Sequence, residues 1–273
     1  MRRIALAVAL TAFATSLLAQ ATPDGRPPIL RNVSIEQRLD SPLPLDLEFQ
    51  DESGRTVHLR DYFGKRPVVL VLAYYDCPML CTQVLNGLVS AMRVLSFDAG
   101  REYEVVTVSF DPRDDASDAR AKKVPYVARY GRPGAEAGWH FLTGEPKAIA
   151  ALTEAVGFRY AWDERLEQFA HASAIYVATP DGRLSRYFYG IEYAPRDLRL
   201  ALVEASKGKI GTPVDQLLLY CYHYDPAAGR YGAVVMNMLR VAGVVFVLIL
   251  STFLFVMWRR EKRREARRPA EAR

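Results

Sequence analysis

Two cysteines four residues apart, Cys77 and Cys81, are the residues whose types and spacing most clearly predict chemistry in this chain. They enclose Pro78-Met79-Leu80, where an apolar run gives way to a helical pattern. Residues four apart share one face of a helix, and the unpaired N–H groups of a first helical turn stabilise thiolate relative to thiol. Both sulfurs can therefore meet one metal ion or one another.

Three explanations of this cysteine pair are open. A structural disulfide across four residues closes too small a loop to stabilise the fold much through chain entropy, and two core thiols would not need the start of a helix. Disulfide exchange more usually has two intervening residues than three. The extra residue lets the sulfurs sit apart around a soft ion such as Cu(I), which two thiolates and an imidazole suit. The spacing favours metal or redox chemistry without choosing between them.

The histidines could supply the imidazole, but a single histidine is more often a packed or surface residue than a ligand. His171 stands immediately before an apolar segment predicted to be a strand. His58 alternates within a predicted hairpin, on its solvent face, and His140 is predicted to pack at a strand end between Trp139 and Phe141. Imidazole is a common metal ligand in its neutral form. The residues alone therefore do not single out one histidine as a ligand.

The elements around the cysteines can be read from hydrophobic periodicity. Residues 68–75 are continuously apolar, which predicts a strand buried on both faces. Residues 80–95 follow with an apolar stripe at helical spacing. The cysteine motif therefore lies at a strand-to-helix junction.

The rest of the chain alternates strands and helices, which indicates an α/β layer. The predicted class is an α/β thioredoxin-like fold over residues 33–207, with an N-terminal β-hairpin extension. The other predicted elements are a hairpin over 43–59, a strand over 103–110, a helix over 116–130 kinked at Pro125, a short strand around Phe141, a helix over 145–156, a hairpin of 174–178 with 184–189, and a helix over 195–205.

Three aspartates near the predicted site have ordinary explanations. Asp111 and Asp114 precede the helix over 116–130, so they are predicted to cap it, with an influence on a metal site as the less favoured role. Asp76 is next to Cys77 and could raise the pKa of its thiol, which the sequence does not settle.

Both ends of the chain carry apolar segments. Residues 1–21 have a basic start, a short apolar stretch and an A-x-A site, which predicts a cleaved signal peptide. Residues 234–258 are predicted to span a membrane, with an uncharged centre over 241–258. The tail of residues 259–273 is basic, which predicts that it stays in the cytoplasm and that the folded domain is periplasmic, on an inner membrane.

The net charge of +5 does not indicate a nucleic-acid partner. The tail holds eight Lys/Arg and three Glu, which accounts for the whole excess. A basic tail of this kind lies favourably beside anionic lipid, so its charge can be explained without a nucleic-acid partner. Residues 208–233 are predicted to be a juxtamembrane connector, in which Cys221 and His223 are either packing residues near the bilayer or a second soft-metal pair.

Three segments together resemble the SCO/SenC family. They are Tyr74-Tyr75-Asp76-Cys77-Pro78-Met79-Leu80-Cys81, Ser109-Phe110-Asp111-Pro112-Arg113-Asp114, and His171 with the strand after it. The likeness covers roughly residues 33–205. The family's usual motif has proline after the second cysteine, where this chain has Thr82, and the ligand positions are intact.

The resemblance implies a thioredoxin-like fold in which Cys77, Cys81 and His171 bind copper as Cu(I), Cu(II) or both, with His171 in a loop facing the cysteine helix. It implies a metallochaperone that assists assembly of the copper centre of cytochrome c oxidase subunit II, loaded by a periplasmic copper donor or kept reduced by a thiol reductant. The alternative is a thiol-disulfide oxidoreductase that cycles Cys77 and Cys81. Peroxidase activity is disfavoured because no separate resolving cysteine is evident.

Overall fold

The structure is a computed structural model that describes residues 28–77, 80–210, 224–225, 230–231 and 233–265. The chain divides into two compact units, Met1–Gly211 and Thr212–Arg273. Three predicted features lie outside the described residues: the signal peptide, the part of the tail after Glu265, and the pair Cys221 and His223.

The first unit contains ten strands, five helices and two 3₁₀ turns in its described part. The strands are β1 (Ser34–Ile35), β2 (Glu48–Asp51), β3 (Thr56–His58), β4 (Val68–Ala73), β5 (Glu104–Ser109), β6 (Trp139–Thr143), β7 (Phe158–Asp163), β8 (Gln168–His171), β9 (Ala174–Ala178) and β10 (Leu184–Tyr189). The helices are α1 (Leu80–Val94), α2 (Ala116–Tyr130), α3 (Ala135–Gly138), α4 (Pro146–Ala155) and α5 (Pro195–Ser206). The 3₁₀ turns are Pro28–Asn32 and Leu59–Tyr62.

A seven-stranded mixed sheet is the frame of this unit. Its strand order is β10-β9-β4-β5-β6-β2-β3, with β4, β5 and β6 parallel and the other pairs antiparallel. All six residues of β4 are at most 5% exposed, because the strand is covered on both faces. The predicted α/β class, the buried strand and the helix after it are confirmed.

The two faces of the sheet carry different layers. Val69 and Val71 of β4 face one core, which α1, α2 and α5 cover. Leu70 and Leu72 face the other, which also contains α4 residues and both cysteines. Strand alternation thus assigns the cysteine pair to one side of the sheet.

A separate three-stranded sheet, β1-β7-β8, packs into the cysteine-side core. The prediction for His171 was wrong in one respect: the residue is not in a loop but is the last residue of β8, opposite Tyr160 of β7. The β7–β8 hairpin was not predicted. Its sequence signal is the alternation of Phe158, Tyr160 and Trp162 with polar or small residues.

The predicted capping role of Asp111 and Asp114 is also wrong. Asp115 caps α2, since its side chain accepts hydrogen bonds from the N–H groups of Ser117 and Asp118. The carboxylate of Asp118 in turn accepts a hydrogen bond from the Asp115 N–H, which completes a capping box. The cap frees Asp111 and Asp114 for contacts near the cysteines.

The second unit contains the short strands β11 (Tyr224–Asp225) and β12 (Arg230–Tyr231) and the helix α6 (Ala233–Glu265). Residues Arg240–Arg260 of α6 form a stretch of 21 residues that is long and apolar enough to cross a membrane. By length and composition, the described part of the chain therefore contains one candidate span, where the sequence predicted it.

Candidate metal centre

The fold brings Cys77, Cys81 and His171 together. Cys77 lies in the turn after β4, Cys81 is the second residue of α1, and His171 ends β8. One ligand atom from each residue lies within 4.8 Å of the other two, and the Sγ of Cys81 is 3.4 Å from the Nε2 of His171. An ion about 2.3 Å from a sulfur separates its ligands by up to about 4.6 Å, so the three atoms match a shared ion closely.

The two sulfurs are held by backbone donors. The N–H of Tyr74, at the end of the β4 segment, points to the Cys81 Sγ at 3.4 Å, and the N–H of Cys81 points to the Cys77 Sγ at 3.3 Å. Neither cysteine forms a disulfide, and Cys77 is 8% and Cys81 1% exposed. Cys77 is therefore the less deeply buried residue of the pair.

The imidazole of His171 is oriented by its own backbone neighbourhood. Its Nδ1 is 2.9 Å from the carbonyl oxygen of Ala172, an acceptor, so Nδ1 carries the proton and donates it. That tautomer leaves the Nε2 lone pair directed toward the sulfurs. A carbonyl partner on the remote nitrogen is the usual arrangement around metal-bound histidines.

Aromatic rings pack against the imidazole of His171. The rings of Tyr74, Phe110 and Phe158 lie 5.9, 5.2 and 6.0 Å from the His171 ring, centroid to centroid. No role was predicted for these rings. They give the imidazole apolar surroundings, which favour a soft ion over a hydrated one.

Burial raises the pKa of the Cys81 thiol well above its ordinary value, and the neighbouring Cys77 adds to the effect. The sequence predicted the opposite, that the helix start would stabilise thiolate. The donor from Tyr74 acts in that direction but is outweighed by loss of solvation. Without a metal, Cys81 is thus a neutral thiol at neutral pH.

Asp114 supports the turn that presents Cys77. Its carboxylate accepts hydrogen bonds from the Tyr75 N–H at 2.7 Å and from the Ser109 hydroxyl, and burial raises its pKa. Lys122 donates to the Tyr75 carbonyl oxygen at 2.7 Å. Asp114 therefore contacts the backbone beside the site rather than the helix it was predicted to cap.

The other described histidines lie away from the three ligands. His140 is inside β6, with its Nε2 3.3 Å from Glu104 and its ring 4.3 Å from that of Tyr62. His58 is in β3 near Glu48. These positions agree with the packing and surface roles predicted for them.

Comparison with known proteins gives a family. A family model described as SCO1/SenC matches residues 36–204. A curated relative, the SCO1 protein homolog of Bacillus subtilis (strain 168), is 24% identical over 166 residues, which cover 59% of this chain and 82% of the relative.

Solved structures agree with the fold. The crystal structure of a protein from Aquifex aeolicus VF5 matches at 25% identity with a TM-score of 0.55, covering 63% of this chain and 96% of that one. Arabidopsis thaliana ScoI, solved with copper bound, matches at 19% identity with a TM-score of 0.49, covering 63% and 99%. The likeness to the Aquifex aeolicus structure, with its TM-score of 0.55, agrees with the predicted α/β thioredoxin-like fold. Since the family model covers more than half of its length, this chain belongs to the SCO1/SenC family.

Proposed function

We propose that this protein is a membrane-anchored copper chaperone that holds copper on Cys77, Cys81 and His171. The observation that carries the proposal is the convergence of two sulfurs and one correctly oriented imidazole nitrogen within 4.8 Å. Two thiolates and one imidazole form a soft, three-coordinate set that suits Cu(I). The family resemblance implies the same cargo and the same three residues.

The proposed recipient is the copper centre of cytochrome c oxidase subunit II, which the resemblance implies. Cys77 is the natural point of exchange, because it is the less deeply buried of the two cysteines. A three-ligand site at the end of a strand lets an incoming thiolate add to the ion before an old ligand leaves. A periplasmic copper donor would load the site by the reverse exchange.

We further propose that α6 anchors the domain in the inner membrane, with the domain in the periplasm and the basic tail in the cytoplasm. The apolar stretch Arg240–Arg260 and the positive charges that follow it support this orientation. The domain limits follow the predicted division into a signal peptide (1–21), a thioredoxin-like domain (33–207), a connector (208–233), a span (234–258) and a tail (259–273).

The test is metal analysis with copper K-edge X-ray absorption on the reduced, full-length chain in detergent. The expected result is one copper per chain, bound by sulfur and nitrogen in a ratio of two to one. A spectrum with no sulfur ligands, or copper lost on washing, would contradict the assignment. Zinc offered at equal concentration serves as the competing ion, since zinc prefers four ligands.

Copper binding by this site should depend on pH. Because burial keeps the Cys81 thiol protonated, loading must displace that proton. The apparent affinity should rise about tenfold per pH unit between about pH 7 and 8 for each thiol proton displaced. Competition with a chromophoric Cu(I) chelator at a series of pH values measures the slope, after correction for the chelator's own titration. A flat profile would mean that both thiols are already ionised.

Thiol-disulfide exchange is a second candidate function, favoured by a specific observation. The sulfurs of Cys77 and Cys81 form no disulfide and lie within 4.8 Å of each other, and the Cys81 N–H donates to the Cys77 sulfur. Oxidation of the pair would reduce a target disulfide to two thiols, with two electrons transferred. Both activities need the reduced pair, so the oxidised form would also be unable to hold copper.

A further inference from the structure

The hairpin that carries His171 is attached differently from the cysteines. Both cysteines lie beside the central strand β4, whereas β8 pairs with β7 only, and β7 is held at its other edge by the two residues of β1. His171 is joined to β9 of the main sheet through Ala172 and Ser173, and the rest of the hairpin is held against that sheet by side-chain contacts. The position of the imidazole relative to the sulfurs depends on both.

One such contact is made at the far end of the hairpin, by Arg113. Its guanidinium carbon lies 4.5 Å from the ring centroid of Trp162 and 5.7 Å from that of Phe169, which are opposite each other in β7 and β8. Phe169 is two residues from His171 and so lies on the same side of β8. Arg113 belongs to the loop after β5, so this stacking joins the hairpin to the main sheet.

The guanidinium is fixed from behind by Asp111. The Nε of Arg113 donates to both carboxylate oxygens of Asp111, at 2.9 and 3.1 Å, and its Nη2 donates at 2.6 Å. Asp111 is 2% exposed, and a buried carboxylate of this kind strongly favours a paired cation. The planar guanidinium is thereby held in one orientation, the one that stacks on Trp162.

We infer that Arg113, Asp111 and Trp162 form a latch that positions His171 against the cysteines. The inference rests on the proposed function, in that His171 must be a copper ligand for the latch to affect copper. Arg113 and Trp162 are positioning residues, since neither reaches the ligand atoms. When the latch is intact the Nε2 stays 3.4 Å from the Cys81 sulfur, and when it opens the imidazole is the ligand set free.

The inference predicts graded effects of three substitutions on copper affinity. Trp162→Ala should raise the Cu(I) dissociation constant about two- to five-fold, the range for loss of one solvent-exposed cation–π contact, because the Arg113 side chain is 62% and Trp162 36% exposed. Arg113→Lys should act in the same direction, because lysine neutralises Asp111 but does not stack as a plane. Trp162→Phe keeps an aromatic face and should restore most of the affinity. Arg165→Gln is the matched control: it removes one positive charge from the turn of the same hairpin and should leave the affinity unchanged.

The deciding measurement is a double-mutant cycle with His171→Ala in the full-length protein. If the latch acts through the imidazole, Trp162→Ala should change the affinity in the wild type and have no effect when His171 is absent. An equal effect in both backgrounds, or no effect in either with the thermal melt unchanged, would overturn the latch. Failure of the wild type to bind Cu(I) at all would instead overturn the proposed function.

A second readout needs no metal. In the metal-free protein, Trp162→Ala and Arg113→Lys should accelerate amide hydrogen exchange in β8 while exchange in β4 and α1 stays at the wild-type rate. Unchanged protection of β8 in both variants would overturn the latch whatever the copper data show. Acceleration throughout the domain would also overturn it, because the residues would then stabilise the whole fold rather than the hairpin.

Discussion

Replacing His171 with alanine is expected to weaken Cu(I) binding by at least about 100-fold while the cysteine pair continues to exchange disulfides. Four-ligand zinc sites gain about 10–16 kcal/mol, or roughly 3 kcal/mol per ligand, and about 1.4 kcal/mol is a factor of ten. Removal of one ligand from a three-ligand site should cost at least that much. The thiols need no imidazole to form a disulfide with each other, so exchange should survive.

The affinity of His171→Ala should be measured by competition with a Cu(I) chelator, and its exchange by reduction of a small disulfide. His58→Ala is the matched control, because it removes an imidazole from the surface strand β3 and should leave copper binding unchanged. Tight copper binding by His171→Ala together with loss of exchange would show that the imidazole serves the thiols and not the metal.

The central part of the fold could be predicted because its signals are local. The apolar run that forms β4 and the helical stripe of α1 can each be recognised within a short stretch of sequence. The structure has both elements within two residues of the predicted limits. Because these two elements flank the cysteines, the same pattern also predicted that the cysteines lie at a strand-to-helix junction.

The β7–β8 hairpin was missed for a physical reason. Its strands alternate, but the connection over residues 164–167 contains no glycine, proline, asparagine or aspartate, the residues that signal a tight turn. The chain turns there with Glu167 at a φ of 51°, a left-handed conformation that is rarely adopted by glutamate. Asp163, the last residue of β7, is the turn-forming side chain here, since its carboxylate accepts hydrogen bonds from the N–H groups of Arg165 and Leu166. A single aspartate among other charged residues is a weak signal of a turn.

The site was predictable in its residues but not in its electrostatics. The spacing of Cys77 and Cys81 and the resemblance around His171 named the three side chains that the structure brings together. The expected low thiol pKa assumed a solvated helix start, whereas Cys81 is 1% exposed. Burial depends on how distant strands and the hairpin pack, which no local pattern records, and here it outweighs the hydrogen bond from the Tyr74 N–H.

The second large effect is expected from the cysteines, whose serine variants should both lose copper but differ in thiol chemistry. Either Cys77→Ser or Cys81→Ser replaces a soft thiolate by a hydroxyl, which should weaken Cu(I) binding by about 1,000-fold or more. Serine is close in size to cysteine, so the fold should persist. The two sulfurs are nevertheless unequal, since Cys77 is 8% and Cys81 1% exposed and the pKa of Cys81 is raised by burial.

Exchange with a disulfide reagent should reveal that inequality. In a Cys221→Ser background, the intact pair should release two thiolates from an aromatic disulfide, because Cys77 attacks first and Cys81 then displaces the second half to close the protein disulfide. Cys81→Ser should release one thiolate and retain the other half as a stable mixed disulfide, visible by mass spectrometry. Cys77→Ser should react much more slowly, because a buried neutral thiol is a poor nucleophile. If Cys77→Ser instead reacted as fast as the intact pair, Cys81 would be the attacking thiol, and the site would have to open for both exchange and copper transfer.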